Sequence, residues 1–277
     1  MHLKRHATTA RHISAVYVIS AVLLAAGIAP EIAAHADALS DLRTTLSKLS
    51  DQSPLEATVD VKWSNVNKKE NSGKPQSATV LFDIELGSGL RMHFSSASLQ
   101  QADTELQAAI GDADHPTPTV ALLGNDVDPL TMEHLLTRGP ALLRLLANAS
   151  AATVSETTLW GQPARELLVQ LPQPKSKDVS LKDYQRTVSI WLNADGVPLA
   201  FTDHSQFKAC LLFLCATTDS TESDRLDVVN GRLVATLVSR DQKLSGLGQN
   251  TDSHIVYTLI VQAAKPATKA AGASSIQ

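Results

Sequence analysis

Aromatic residues are scarce. Phe, Trp and Tyr make up 4% of the 277 residues, so the stacked platforms that carbohydrate sites usually need are hard to assemble and the interior must be largely aliphatic. Basic residues are in deficit, with 24 Lys and Arg against 28 Asp and Glu. No cluster of positive charge stands ready to neutralise phosphates, which argues against nucleic acid as a partner. Only two cysteines occur, and they do not form a Cys-x-x-Cys pair. Gly-x-Ser-x-Gly, His-Glu-x-x-His and phosphate-cradling loops are all missing. There is no internal repeat and no coiled coil, and beyond residue 30 no run is long and apolar enough to span a bilayer.

Residues 1–36 read as a targeting segment. Lys4, Arg5 and Arg11 give a basic start, Ile13 to Ala29 is apolar without a charge, and Ala34-His35-Ala36 puts small residues where a signal peptidase reads them. Cleavage after Ala36 is expected to deliver a periplasmic or secreted protein. The alternative is an uncleaved anchor, since a run of about 17 apolar residues sits at the lower limit for spanning a bilayer. No cysteine follows the run to carry a lipid. Removing residues 1–36 takes away Lys4, Arg5, Arg11 and Glu31, leaving 21 Lys and Arg against 27 Asp and Glu, a net charge of −6. That charge is unhelpful for docking on an anionic membrane.

Residues 37–262 are expected to form one α+β domain, a large curved antiparallel sheet or half-barrel packed against short helices, followed by a disordered tail over 263–277. Ala38 to Ser50 places Leu39, Leu42, Leu46 and Leu49 on one helical stripe, with Asp41, Arg43 and Lys48 in solvent. Leu55 to Trp63 alternates, as do Ala78 to Leu86 and Leu90 to Phe94, the last two joined by Gly87-Ser88-Gly89. Helical spacing returns from Ser98 to Ile110 through Leu99, Ala102, Leu106 and Ile110, and Gly111 to Thr119 reads as loop. Asp128-Pro129 reads as an N-cap and first helical residue. Gly139-Pro140 is expected to interrupt that helix before a second, Ala141 to Ala149, whose Leu142, Leu143, Leu145 and Leu146 cover more than one stripe.

Strand signals dominate from Thr153. Thr157 to Gly161 and Ala164 to Leu171 flank a turn at Gly161-Gln162-Pro163, and Pro172 to Asp183 is a charged loop. Tyr184 to Phe207 is expected as a central hairpin, with Val188, Ile190 and Leu192 on one face, Ser189 and Trp191 on the other, and Asn193 to Gly196 at the turn. Asp219 to Asp224 is acidic and polar and is assigned to no strand. Asn230-Gly231 joins Leu226–Val229 to Arg232–Val238, and His254 to Gln262 is a last strand.

Cys210 and Cys215 leave two readings open. An oxidising compartment favours a bridge. On a straight strand the two would lie about 17 Å apart, so a bridge requires Leu211, Leu212, Phe213 and Leu214 to turn at a loop tip. The other reading is a buried strand or helix with two inert thiols.

This element order, with Leu159-Trp160-Gly161-Gln162-Pro163 and the hairpin Trp191-Leu192-Asn193-Ala194-Asp195-Gly196-Val197-Pro198-Leu199, resembles the periplasmic lipoprotein-carrier superfamily of LolA, LolB and their relatives. The resemblance spans most of residues 38–262. It implies an unclosed half-barrel around short helices and an apolar ligand such as an acyl chain, and it assigns no site residue.

Polar constellations point to no chemistry. Asn125-Asp126-Val127-Asp128 could begin a calcium site, but Asp128 is already a helix cap. Asp112-Ala113-Asp114-His115 reads as a solvated turn. Ser205-Gln206-Phe207-Lys208 matches Ser-x-x-Lys only formally, because that pattern belongs at a helix start, and Asp203-His204 has no nucleophile to serve. No metal, cofactor or catalytic residue is assigned. The expected function is a non-enzymatic exported protein that binds or carries an apolar ligand, an acyl chain or lipidated partner. Leu142, Leu143, Leu145, Leu146 and Trp191 are the candidate cavity walls, and Leu211, Leu212, Phe213 and Leu214 a lid or docking loop. The alternative is a ligand-free envelope domain that binds another protein through a sheet edge or the apolar loop.

Overall fold

Alternating sequence stretches become ten strands of one open antiparallel sheet in a computed structural model, which describes residues 38–67, 75–112, 114–174, 180–211, 214–246 and 249–263. The targeting segment 1–36, residues 264–277 of the tail, and Leu212 and Phe213 lie outside the described residues. The strands are β1 (Leu55–Asn67), β2 (Gln76–Leu86), β3 (Leu90–Phe94), β4 (Thr153–Leu159), β5 (Gln162–Gln170), β6 (Ser180–Leu192), β7 (Pro198–Leu211), β8 (Leu214–Val229), β9 (Arg232–Gly246) and β10 (Gln249–Ala263). Their order is β3-β2-β1-β10-β9-β8-β7-β6-β5-β4. The chain therefore enters mid-sheet, and its last strand returns to pair with its first. β3 and β4 are the free edges, and helices α2 (Ser96–Gly111), α3 (Pro118–Asn125), α4 (Pro129–Leu136) and α5 (Arg138–Leu145) connect one edge to the other.

The expected α+β curved sheet against short helices is what forms. Hairpin β6–β7 is present, with Val188, Ile190 and Leu192 buried and Gly196 at φ 78° in its turn, but it lies to one side of the middle pair, β9–β8. Two other turns put a non-glycine residue and a glycine at positive φ in succession: Trp160 (50°) with Gly161 (80°), and Asn230 (51°) with Gly231 (73°). Two consecutive left-handed residues match the strands' own twist, which is why Asn-Gly marks a hairpin. The first of these turns sits at Trp160-Gly161, so Gln162 and Pro163 belong to β5 rather than to the turn expected from the sequence.

Helix α1 spans residues 38–48 and buries Leu39, Leu42 and Leu46 against the sheet. Each such side chain contributes about 1.5–3 kcal/mol. Arg43 is not in solvent as expected. It is half-buried and donates through Nη2 to the carbonyls of Leu146 (2.7 Å) and Ala149 (2.8 Å), capping the short 3-10 turn Leu146–Asn148 that follows α5. At the other end, Leu49 O accepts from Leu233 N at 3.1 Å, and buried Arg232 donates to Asp51 O (2.7 Å) and Ser53 O (2.8 Å). Thus α1 is tied to both the helical layer and the β8–β9 hairpin.

Two helix boundaries differ from the sequence expectation. The break falls at Thr137, and Gly139-Pro140 lie inside α5, where proline in the first turn forfeits no helical hydrogen bond. Residues read as loop up to Thr119 already belong to α3, whose N-terminal amides are capped by a residue of α2: Glu105 Oε2 accepts from Thr119 N (2.8 Å) and Val120 N (3.2 Å). Asp128 caps α4 as expected, accepting from Leu130 N and Thr131 N.

Gly139 fits because α1 leaves no room for a side chain. A Cβ there would lie 2.7 Å from Leu49 O and 3.2 Å from Leu46 O, both backbone atoms. Helix propensity alone would favour Gly139→Ala by about 1 kcal/mol. The clash reverses the sign, and Gly139→Ala is expected to destabilise the fold by about 1–3 kcal/mol in urea melts. A stabilised variant would show that α1 does not pack this closely.

Candidate functional site

The leucines of α5 are packing residues. Leu142 and Leu146 are fully buried in the core, and Leu143 and Leu145 are partly buried against it. Clefts of about 220 to 300 Å³ open at the β1–β2 end, beside α1, and on β1, β2 and β10; none of these is lined by the four leucines or by Trp191. Alternation places Trp191 on the face opposite Ile190 and Leu192, half-buried and away from the helices. It is therefore no wall of an interior cavity.

Of the two cysteine readings, the bridge is the one that forms. Cys210 and Cys215 are directly opposed across hairpin β7–β8 with Cα atoms 4.2 Å apart, and Leu211 pairs with Leu214 before residues 212 and 213. Leu214 is exposed at the tip.

The helix-facing side of the sheet changes character along the strands. The register places Val61, Tyr257, Val238, Asp224, Phe201 and Ile190 in one row under the helices. The next row towards the tip is Trp63, Ile255, Arg240, Glu222, Asp203 and Val188; then Asn65, Ser253, Gln242, Ser220, Ser205 and Arg186. Beyond these, Leu244, Thr218 and Phe207 align, with the Tyr184 ring 6.3 Å from that of Phe207. Burial follows the change. Residues 215–222 of β8 are half-exposed on both faces, where a strand covered on one face alternates between buried and exposed. The tip-ward parts of β6 to β10 thus extend past the packed layer, and the helix-facing side there carries half-buried Tyr184, Phe207 and Leu244, whereas Trp63, in the ion-pair row on β1, packs against the core.

A network of ion pairs marks the boundary. Arg138, at the start of α5, donates through Nη2 to Glu222 Oε1, lies 2.5 Å from Asp224 Oδ2, and sets its guanidinium 4.8 Å from the centre of the Phe201 ring. Arg240 donates to Glu222 Oε2 through Nε (3.1 Å) and Nη2 (2.7 Å). Arg186 forms a forked pair with Asp203, Nε at 3.0 and 3.1 Å and Nη2 at 2.5 Å. Tyr257 donates its hydroxyl to the Asp126 carbonyl at 3.0 Å, where burial pushes up both the phenol and the Asp126 carboxyl. Burial works against the charge of Glu222, but Arg138 and Arg240 outweigh it and hold that carboxyl below its usual range. Asp224 is different: burial pushes it up to about 7, and despite its ion pair neither oxygen has a well-aligned hydrogen bond among the described residues.

Sequence reasoning missed this network. Arg138 was hidden by the expected break at Gly139-Pro140, and Glu222 and Asp224 sit in the stretch left without a strand. A signal was there: stepping back by two from Leu226 along β8 reaches Asp224 and Glu222 on the same face, since the register shift there skips Thr236 of β9 and leaves the alternation of β8 intact. Other candidates are taken apart by the fold. Asp203 faces the helices and His204 the opposite side, where its Nδ1 lies 3.0 Å from Thr221 Oγ1, and Ser205 and Lys208 point to opposite faces of β7. Among the described residues, no three His, Cys, Asp or Glu come together as a metal set.

No protein-family model matches the chain, and no curated protein matches it in sequence.

Two expectations follow. The folded Asp224 pKa of about 7 exceeds its ordinary 3.8, so folding takes up a proton between these values and this carboxyl's contribution to stability is lost as pH rises through them. Wild type should therefore lose stability from about pH 4 to 7 in denaturant titrations, while Asp224→Asn shows no such loss. Equal slopes would mean Asp224 is ionised throughout. Replacing both Cys210 and Cys215 by Ser should cost about 2 kcal/mol, the amount expected for so short a closed loop. Amide exchange should quicken at Ala209 and Ala216 and stay slow at Val188 and Ile190.

Proposed function

We propose that this is an exported, non-enzymatic binding protein that holds an apolar group, an acyl chain or a lipidated partner, on the open helix-facing side of its sheet. The observation that carries the reading is the change in burial described above. Five adjacent strands, β6 to β10, extend beyond the helical layer, and Tyr184, Phe207 and Leu244 stand there half-buried. Half-buried apolar side chains on a curved surface offer a ligand contact area without the cost of emptying a core. The resemblance to lipoprotein carriers and the basic, apolar, small-residue order of residues 1–36 support the same reading. The site moves relative to the sequence expectation, from the α5 leucines and Trp191 to the rows beyond the ion pairs. Arg240 and Arg186 at its inner border suit a polar or anionic head group, because each keeps about a third of its side chain exposed (32% and 34%).

A second reading, a ligand-free envelope domain that binds another protein, is favoured by the apolar stripe on α2 described below. To separate the two, the mature protein is purified from an exporting host and its organic extract is analysed by mass spectrometry. Stoichiometric acyl lipid, lost in Phe207→Asp and Leu244→Asp variants that keep the wild-type melting temperature, is the expected result. Lipid-free protein that also takes up no apolar dye would sink the ligand reading and leave the second.

A further inference from the structure

Helix α2 is built inside out. Its buried residues are Ser98, Ala102 and Glu105, small or polar, fastened by hydrogen bonds: the Ser98 hydroxyl with Leu81 N at 3.1 Å, and Glu105 with the first amides of α3. The large apolar residues point outward. Leu99 is 50% exposed, Leu106 48% and Ile110 79%. An amphipathic surface helix normally does the reverse. Scattered exposed leucines need no explanation, but Leu99, Asp103, Leu106 and Ile110 follow one another at spacings of four, three and four, the seam of a helix that packs against another helix.

Charge selects the occupant. Ser96–Gly111 contains Asp103 and Glu105 and no Lys or Arg, whereas helices that lie on membranes carry cations on their polar face. Asp103 is exposed, sits inside the seam, and makes no ion pair among the described residues. In a parallel pairing of two copies the two Asp103 carboxylates would meet, and in an antiparallel pairing centred on the seam each would be pressed against Leu106 of the other copy; both arrangements desolvate a carboxylate with no counter-ion, which is unfavourable. A different helix with a cation at that point satisfies the seam. We propose that α2 docks an amphipathic helix of another protein whose apolar stripe carries a Lys or Arg opposite Asp103. This surface is separate from the ligand face of the sheet and does not depend on it.

The test uses two fluorescent helical peptides of roughly 18 residues, long enough to hold a helix. They are identical leucine-striped sequences with Lys or Glu at the position facing Asp103. By anisotropy, the wild-type protein should bind the Lys peptide at least about tenfold more tightly than the Glu peptide, Asp103→Lys should reverse the order, and Leu106→Asp with Ile110→Asp should abolish both. All three positions are exposed, so the variants should melt with wild type. The proposal is overturned if neither peptide binds, if the charge at the facing position makes no difference, or if the variants at 106 and 110 bind as well as wild type. It is equally overturned if light scattering finds a dimer of this chain that Ile110→Asp dissolves, or if the protein partitions onto phosphatidylcholine vesicles through Ile110.

Discussion

The guanidinium of Arg138 ties the helical layer to the middle of the sheet through charge. Arg138 reaches from the start of α5 to Glu222 and Asp224 on β8, with the Phe201 ring under it. Burying a cation is costly unless carboxylates meet it, so two acids stand on a strand face that is otherwise apolar at Leu226. Their presence ends the apolar core. Glu222 in turn requires Arg240, and one strand further from that pair Asp203 holds Arg186. The row that begins as a support for Arg138 therefore crosses much of the sheet. On one side of it the strands pack under helices; on the other they stand open. The position of the open face follows from where that charge was placed.

Chain connectivity explains why the open part exists at all. The sequence enters at β1 in mid-sheet, so both free edges, β3 and β4, must be linked by one connection, and that connection is α2 to α5. These helices are short. They cover the end of the sheet nearest the turns at Trp160-Gly161 and Asn230-Gly231, where α1 is also anchored, while β7 to β10, at 14 to 16 residues each, run on past them. With no core beneath it, the far end relies on ladder hydrogen bonds and on the bridge from Cys210 to Cys215.

Local signals carried most of the fold into view from the sequence. Alternation at Leu55–Trp63 and Val188–Leu192, Asn-Gly at 230, and the Asp128-Pro129 cap are decided by neighbours a few residues away, and each is present. What escaped was decided by distant partners. Asp219 to Asp224 looks like loop because acids are poor strand formers in isolation, yet the ladders to β7 and β9 keep it extended and Arg138 pays for its carboxylates. Gly139 looks like a helix breaker until the carbonyls of Leu46 and Leu49 are seen against it. Leu99, Leu106 and Ile110 have the spacing of a core stripe, and only the cap that Glu105 gives to α3 shows which side of α2 faces in. The α5 leucines are legible as buried, but whether buried residues line a space or fill one depends on packing, which spacing does not encode.

The same division shows which apolar surface folding leaves unused. Leu142 and Leu146 hold the helical layer to the sheet, and a ligand admitted between them would have to replace contacts worth several kcal/mol per side chain. Tyr184, Phe207 and Leu244 hold far less of the fold, because their strands are ordered by backbone ladders whatever those side chains touch. The outward face of α2 is freer still, since that helix is fastened entirely from its polar side. Apolar area that folding does not use remains available for association, and in this chain it lies at the open end of the sheet and along one helix.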